Sequence, residues 1–360
     1  MDILDEVLQG REFNANELAK LYEYDIFTLG QAANALREEK YGKKVFFNMN
    51  RHINPTNICA DVCKFCAFSA SRKNPNPYEM TIDEIIAQTI ASHKNGAKEV
   101  HIVSAHSPNY SYEWYMSCFA EVKRAVPQIH LKAMTAAEVD YLDRKFGVGY
   151  QKVLEDMAKA GVDSMPGGGA EIFDEKVRKH ICSGKVSSKR WLEIHTHWHS
   201  IGKMSNATML FGHIESREHR LDHMLRLANA QCDRQIVESK NGGFNAFIPL
   251  LYQRDNNYLN APTPPSGQEI IKTIAIARIV LANIPHIKAY WATLGINIAL
   301  LAQEFGADDM DGTIELESIQ SAAGAKSKKG MSEEILIHAI KDAGFIPVER
   351  DSLYNELRVC

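Results

Sequence analysis

Three cysteines in one short segment are the residues of this sequence best suited to chemistry. Cys59 and Cys63 are separated by three residues, and Cys63 and Cys66 by two. Thiolates bind iron and zinc, and close spacing lets a single loop wrap an iron–sulfur cluster. No fourth ligand follows nearby. A [4Fe-4S] cluster on this loop would therefore keep one iron open to bind another molecule.

Two other uses of the cysteines are less consistent with the sequence. A structural zinc site needs four ligands, usually in two pairs, and the nearest histidines, His52 and His93, do not form such a pair. A ferredoxin-type electron carrier would not need 360 residues, and three cysteines leave its cluster incomplete. We interpret the remaining cysteines as ordinary core or surface residues: Cys118, Cys182, Cys232 and Cys360.

Composition excludes several classes of protein. The net charge is −4, and no basic cluster or like-charged block is present, so we expect no nucleic-acid partner. No apolar run is long enough to span a bilayer, and the acidic N-terminus lacks the features of a secretory signal. Seven cysteines, an odd number spread along the chain, argue against a disulfide framework. We therefore expect a cytoplasmic protein with no membrane partner.

The hydrophobic pattern predicts alternating strands and helices. Residues 1–42 read as an N-terminal helical cap, 43–320 as a barrel and 321–360 as a C-terminal extension that closes it. A capping box, Thr81 and Glu84, predicts a helix over residues 81–95, and Ser266 and Glu269 predict another. Repeated strand–helix units favour an α/β fold of the (β/α)8 TIM-barrel type. The predicted strands are 45–47, 100–103, 129–133, 162–165, 207–211, 245–248, 287–290 and 307–310.

The cysteine spacing, with Phe65 just before the last cysteine, resembles the signature of radical S-adenosylmethionine (SAM) enzymes. Over residues 40–355 the chain is similar to the menaquinone (futalosine pathway) branch of that superfamily. The similarity lies in residues 163–173 (DSMPGGGAEIF), 207–215 (ATMLFGHIE), 243–249 (GFNAFIP) and 347–354 (PVERDSLY). Residues 285–291 (PHIKAYW) and 306–313 (GADDMDGT) resemble the aminofutalosine synthases more than the sibling cyclases.

This resemblance implies two cofactors, a [4Fe-4S] cluster held by the three cysteines and SAM bound to its open iron as a co-substrate. In the synthases it implies that the 5′-deoxyadenosyl radical adds to the enol ether of 3-[(1-carboxyvinyl)oxy]benzoate and that carboxylate is lost. In the dehypoxanthine futalosine cyclases the radical instead abstracts hydrogen and a nucleoside cyclises. The resemblance further implies a reducing donor such as flavodoxin or ferredoxin, and a homodimer is possible.

The remaining candidate residues follow the predicted strands, where a barrel places its chemistry. By resemblance, SAM contacts come from Phe65 and from Ser104 and Ala105 (where relatives often carry two glycines). Because glycine permits close approach, the backbone of the glycine turn is expected to contact SAM as well. Glu171 is expected to accept from the ribose, Arg178 to pair with the SAM carboxylate, and Asp309 to contact adenine or ribose. Glu138 and His213 are the catalytic candidates, and the candidates to bind a substrate carboxylate are His213, Arg254, His286 and Lys288. The glycine turn consists of Gly167, Gly168 and Gly169.

Overall fold

A computed structural model describes residues 2–315, 318–325 and 330–360. Its helices are α1 Ile3–Leu8, α2 Ala15–Leu18, α3 Ile26–Tyr41, α4 Ile82–Lys94, α5 Tyr112–Ala125, α6 Ala136–Phe146, α7 Tyr150–Lys159, α8 Glu175–Cys182, α9 Ser188–Ser200, α10 Arg217–Gln231, α11 Arg234–Ser239, α12 Gly267–Val280, α13 Trp291–Leu294, α14 Ile296–Leu301, α15 Ile319–Ala322 and α16 Glu333–Asp342, with 3-10 turns at Ala19–Glu23 and Ala302–Phe305. Its strands are β1 Lys44–Asn48, β2 Asn50–Ile53, β3 Glu99–Ile102, β4 His130–Ala133, β5 Ser164–Met165, β6 Met204–Phe211, β7 Gly243–Leu251, β8 His286–Ile287, β9 Asp309–Gly312, β10 Ile346–Arg350 and β11 Glu356–Val359.

Strands β2 to β8 form one parallel sheet in chain order, with helices in the crossovers. A backbone bridge between Lys288 and Asp309 extends this sheet to β9. The segment after β9 returns to the first strand, because the N–H of Glu315 donates to the carbonyl oxygen of Asn50 at 3.1 Å. The curled sheet with its surrounding helices confirms the predicted barrel.

A second sheet lies beside the barrel and changes the identity of the first barrel strand. β1 pairs in parallel with β10 and β9, and β11 pairs antiparallel at the edge. The apolar strand predicted at 45–47 is therefore wrong as the strand that leads into the cysteines. That strand is β2, which carries Asn50, Arg51 and His52. Because His52 is polar and lines the cavity inside the barrel, hydrophobicity gives no signal for β2.

Local sequence signals placed the helix ends correctly. The side chain of Thr81 accepts from the backbone of Glu84, and the side chain of Glu84 accepts from the backbone of Thr81, as the capping box requires. Ser266 likewise caps α12 by accepting from Glu269. Capping depends only on residues three apart in sequence, so it could be predicted without tertiary structure.

The two ends of the chain pack on the barrel through specific contacts. Residues 2–42 are largely helical, and the hydroxyl of Tyr22 in this region lies 3.1 Å from that of Thr273 in α12. The C-terminal part joins the second sheet through β10, which pairs with β1. The domain boundaries at 42 and 320 stay predictions. Among the residues that the structure describes, every helix is too short or too polar to cross a bilayer.

Candidate active site

A cavity of about 290 Å³ opens at the C-terminal ends of the barrel strands and extends down between them. Strand ends are where barrels of this kind place their chemistry. Ten of the sequence-predicted site residues line this cavity: Cys59, Cys63, Phe65, Cys66, Ser104, Ala105, Gly167, Gly168, Gly169 and Glu171. The other four, Glu138, Arg178, His213 and Asp309, do not line it and are treated separately below.

The cysteine loop is held to the barrel by backbone contacts. The N–H of Ala60 donates to the carbonyl oxygen of His106, and that of Lys64 donates to the carbonyl oxygen of Ile181 at 2.8 Å. Two sulfurs accept backbone donors, Cys59 Sγ from the N–H of His106 and Cys66 Sγ from the N–H of Ser69, each at 3.4 Å. Backbone hydrogen bonds thus orient the sulfurs of Cys59 and Cys66.

This donor set fits an iron–sulfur cluster. The three thiols line one cavity, and all three cysteines are free of disulfides and partly exposed. Burial raises the pKa of the Cys59 thiol and raises that of Cys63 well above its ordinary value. Thiols of this kind become thiolates when a positively charged metal replaces their protons. N–H donors to sulfur are among the features that tune iron–sulfur potentials.

The glycine turn lies directly against the neighbouring strand. A Cβ at Gly167 would lie 2.7 Å from the backbone carbonyl carbon of Ala207 and from the nitrogen of Thr208. Gly169 has a φ of +90°, which only glycine adopts without strain. Glycine here serves the packing of β5 against β6, and the cavity-facing backbone is a consequence of that close packing.

Arg178 supports this turn from behind, and its expected role as a SAM ligand is not supported. Its guanidinium is buried and donates to the carbonyl oxygens of Gly169 at 3.0 Å and Ile172 at 3.1 Å. It also donates to the carbonyl oxygens of Ala170 and Val186. Because these four bonds occupy the guanidinium and it does not line the cavity, Arg178 is a positioning residue.

Glu171 lines the cavity with a partner that the sequence did not indicate. Its backbone is left-handed, with φ of 47°, and its carboxylate lies 2.7 Å from the ammonium of Lys185. Although burial opposes it, Lys185 holds the pKa of Glu171 below its ordinary value. The same ammonium lies 5.5 Å from the ring centre of Phe65. Lys185 therefore connects the glycine-turn side of the cavity to the cysteine loop.

Glu138 is a positioning residue and not a catalytic one. Its carboxylate accepts from the backbone N–H of Ser104 at 2.8 Å and from that of Thr135 at 2.7 Å. The first bond fixes the turn after β3, where Ser104 and Ala105 face the cavity. Burial raises the pKa of Glu138 against these hydrogen bonds. The carboxylate has no surface on the cavity, so it acts through Ser104.

His213 and Asp309 are likewise withdrawn from the cavity. Nε2 of His213 lies 3.1 Å from the carbonyl oxygen of Leu210, and Nδ1 lies 3.2 Å from a carboxylate oxygen of Glu215. Asp309 pairs with Arg350 at 2.5 Å and so joins β9 to β10. Both side chains are buried among their own partners and do not line the cavity.

Sequence reasoning missed a polar layer inside the barrel. His52, His101 and Lys132 occupy the same register row of β2, β3 and β4, and all three line the cavity. Glu99, two residues before His101 on β3, also lines the cavity. Barrel interiors are usually filled by branched apolar side chains. Polar residues at inward positions of three neighbouring strands were the signal, and it was obscured because β2 was not recognised.

Comparison with known families agrees with this site. Residues 53–227 match the Radical SAM superfamily, and residues 241–360 match the CofH/MqnC C-terminal region. The chain belongs to the radical SAM superfamily. Members use a [4Fe-4S] cluster and SAM, and Cys59, Cys63 and Cys66 have the CxxxCxxC spacing of that family, which confirms the two cofactors predicted.

Within the superfamily, the chain is similar to enzymes of one branch over nearly its whole length. It is 39% identical to aminodeoxyfutalosine synthase of Thermus thermophilus, over 99% of this chain and 95% of that protein. It is 34% identical to cyclic dehypoxanthine futalosine synthase of Streptomyces coelicolor, over 99% of this chain and 88% of that protein. Methylornithine synthase shares the fold, with a TM-score of 0.75 at 17% identity, over 96% of this chain and 97% of that one.

Proposed function

We propose that this protein is an aminodeoxyfutalosine synthase. The observation that carries the proposal is the 39% identity to a synthase across 99% of the chain, against 34% to the cyclase over the same share. The cavity supports it, because the thiols, the glycine turn and the polar layer all line one cavity. The proposed reaction joins the 5′ carbon of SAM to the vinyl carbon of 3-[(1-carboxyvinyl)oxy]benzoate, with loss of carboxylate.

When bound, the cluster supplies the electron that splits SAM into methionine and an adenosyl radical. The residues of the chain bind and orient SAM and the substrate, and they exclude water. Phe65, Ile248 and Leu250 contribute apolar cavity wall, and Tyr252 and Tyr290 line the same space. A largely apolar wall keeps water from reacting species, and fixed polar groups set the orientation of the substrate.

The reductant is proposed to be a small low-potential protein such as flavodoxin or ferredoxin. Val62, between the first two cysteines, is 79% exposed, so the loop that bears the thiols reaches the surface. An electron donor can therefore approach the loop without opening the barrel. The homodimer stays a prediction.

Anaerobic incubation with SAM, reductant and the enolpyruvyl benzoate tests the function. We expect a covalent adenosyl–benzoate product that retains the adenosyl carbon. A second incubation replaces the benzoate by dehypoxanthine futalosine; cleavage of SAM to free 5′-deoxyadenosine there, with no adduct from the benzoate, would instead identify the cyclase. The reconstituted enzyme without reductant is the control, because no product should form without the electron.

A further inference from the structure

The polar layer of the barrel contains two buried ammonium groups in one cavity. Lys132 and Lys288 both line it, and their exposed fractions are 3% and 2%. Burying an ammonium is costly unless anions or acceptors surround it. Each of these groups therefore needs a partner, and the partners they have within the protein are unequal.

Lys132 has a close partner inside the protein. Its Nζ lies 2.7 Å from Oε2 of Glu99, although that oxygen makes no aligned hydrogen bond, so the contact is electrostatic. Although burial opposes it, Lys132 holds the pKa of Glu99 well below its ordinary range. Burial lowers the pKa of Lys132 despite Glu99, and the nearby ammonium of Lys288 lowers it further. The two lysines thus repel each other across the cavity.

The hydrogen-bond donors of the Lys288 ammonium are weakly satisfied among the described residues. Its described polar contact is with Oδ1 of Asp311 at 3.4 Å, the long end of the hydrogen-bond range. Asp311 itself has a left-handed backbone, with φ of 69°, a costly conformation for a residue other than glycine. A buried ammonium with one loose partner leaves donors directed at the cavity.

A neutral histidine completes the group. Nδ1 of His101 lies 3.3 Å from Nε2 of His52, while Nε2 of His101 is buried without a hydrogen-bond partner among the described residues. Burial, His52 and Lys132 lower the pKa of His101 well below its ordinary value, so the ring is neutral. If Nδ1 accepts from His52, Nε2 carries the proton and is a donor without an acceptor.

We propose that Lys288 and Lys132, with Nε2 of His101, bind the aryl carboxylate of the substrate. The proposal rests on the proposed function, which gives the substrate one aryl and one enolpyruvyl carboxylate. The enolpyruvyl end must meet the SAM carbon near the cysteine loop and glycine turn. Lys132 lies on β4 below the strand ends, so the opposite end of the substrate points toward it. The layer therefore sets the direction in which the substrate enters.

Calorimetric titration of the reconstituted enzyme with SAM, anaerobically and without reductant, tests this assignment. The first probe is 3-(carboxymethoxy)benzoate, which has both carboxylates and no vinyl group. The second probe replaces only its aryl carboxylate by a carboxamide. We expect wild-type enzyme to bind the first probe roughly 10- to 100-fold more tightly than the second. In Lys288→Met this preference should shrink to a few-fold.

Controls separate binding from folding. Lys189→Met removes a lysine that is 85% exposed on α9 and should leave the preference unchanged. Glu99→Gln with Lys132→Met removes both members of the buried pair, so neither charge is stranded, and should also reduce the preference. Circular dichroism checks that each variant is folded. A Lys288→Met enzyme that is folded and keeps the full preference overturns the proposal.

Two further outcomes distinguish this proposal from the proposed function. If wild-type enzyme forms the adenosyl–benzoate product but Lys288→Met weakens the second probe, 3-(carboxymethoxy)benzamide, as much as the first, the substrate lies the other way and the assignment alone is wrong. If wild-type enzyme forms no adduct and binds none of the probes, the proposed function and the assignment fail together.

Discussion

The guanidinium of Arg178 donates to the carbonyl oxygen of Gly169 across 3.0 Å. This bond joins α8 to the turn that forms one wall of the cavity. The guanidinium that was expected to pair with SAM is therefore bonded to the backbone of this turn and does not line the cavity. The same is true of Glu138 and the N–H of Ser104 at 2.8 Å.

Arg178→Met should lower the stability of the fold, because the guanidinium bonds to the backbone and not to the cavity. It leaves several buried carbonyl oxygens without donors, which we expect to cost at least about 3 kcal/mol. The thermal midpoint of the cluster-free protein should fall by several degrees. Arg234→Met is the control, because that side chain is 89% exposed. Equal midpoints for the two variants would contradict the positioning role.

Cys59→Ser should abolish cluster assembly. Removing one of three thiolates leaves a single loop with two ligands, too few to retain a [4Fe-4S] cluster. Iron content and the broad visible absorption after anaerobic reconstitution should fall to background. Cys232→Ser, at an exposed cysteine away from the cavity, should retain wild-type iron. Loss of iron in both variants would show that the effect is not specific to the loop.

Gly167→Ala should disrupt the contact between β5 and β6. The added carbon would lie 2.7 Å from main-chain atoms of β6, which cannot move aside as a flexible side chain would. We expect a loss of about 1–3 kcal/mol and weaker SAM binding in equilibrium dialysis. Gly267→Ala is the matched control, since nothing lies within 4 Å of its added carbon. A Gly167→Ala protein with unchanged midpoint and SAM affinity would count against this packing.

His223 should make stability depend on pH. Burial lowers its pKa to about 3, against about 6.5 in the unfolded chain. Between these values the unfolded state binds the proton and the folded state does not. Stability from this residue is therefore present above pH 6.5 and falls by about 1.4 kcal/mol for each unit below it, until about pH 3.

The pH profile of the thermal midpoint measures this effect. In His223→Gln the stability should decline less steeply between pH 6.5 and 4.5, because one proton fewer is taken up on unfolding. His338→Gln, at an exposed position on α16, should leave the slope unchanged. A slope that is the same in wild type and His223→Gln would show that His223 does not stay neutral in the fold.

Local features of the fold could be predicted because their causes are local. The cap of α4 requires Thr81 and Glu84 three residues apart, and the strand at 100–103 has its own apolar pattern. β2 could not be recognised, because Asn50, Arg51 and His52 are all polar and His52 faces a cavity that exists only in the folded barrel. For the same reason the sequence favours β1, the apolar strand, as the first strand of the barrel.

The cluster loop could be predicted from the sequence alone. Cys59, Cys63 and Cys66 lie on one loop, so their spacing along the chain is sufficient to indicate a cluster site. Which polar residues face the cavity depends on the tertiary fold. Lys132 and Lys288 line the same cavity from β4 and the end of β8, while Arg178 and Asp309 pair with buried partners. Such pairings depend on strand register and curvature, which no local pattern of residues encodes.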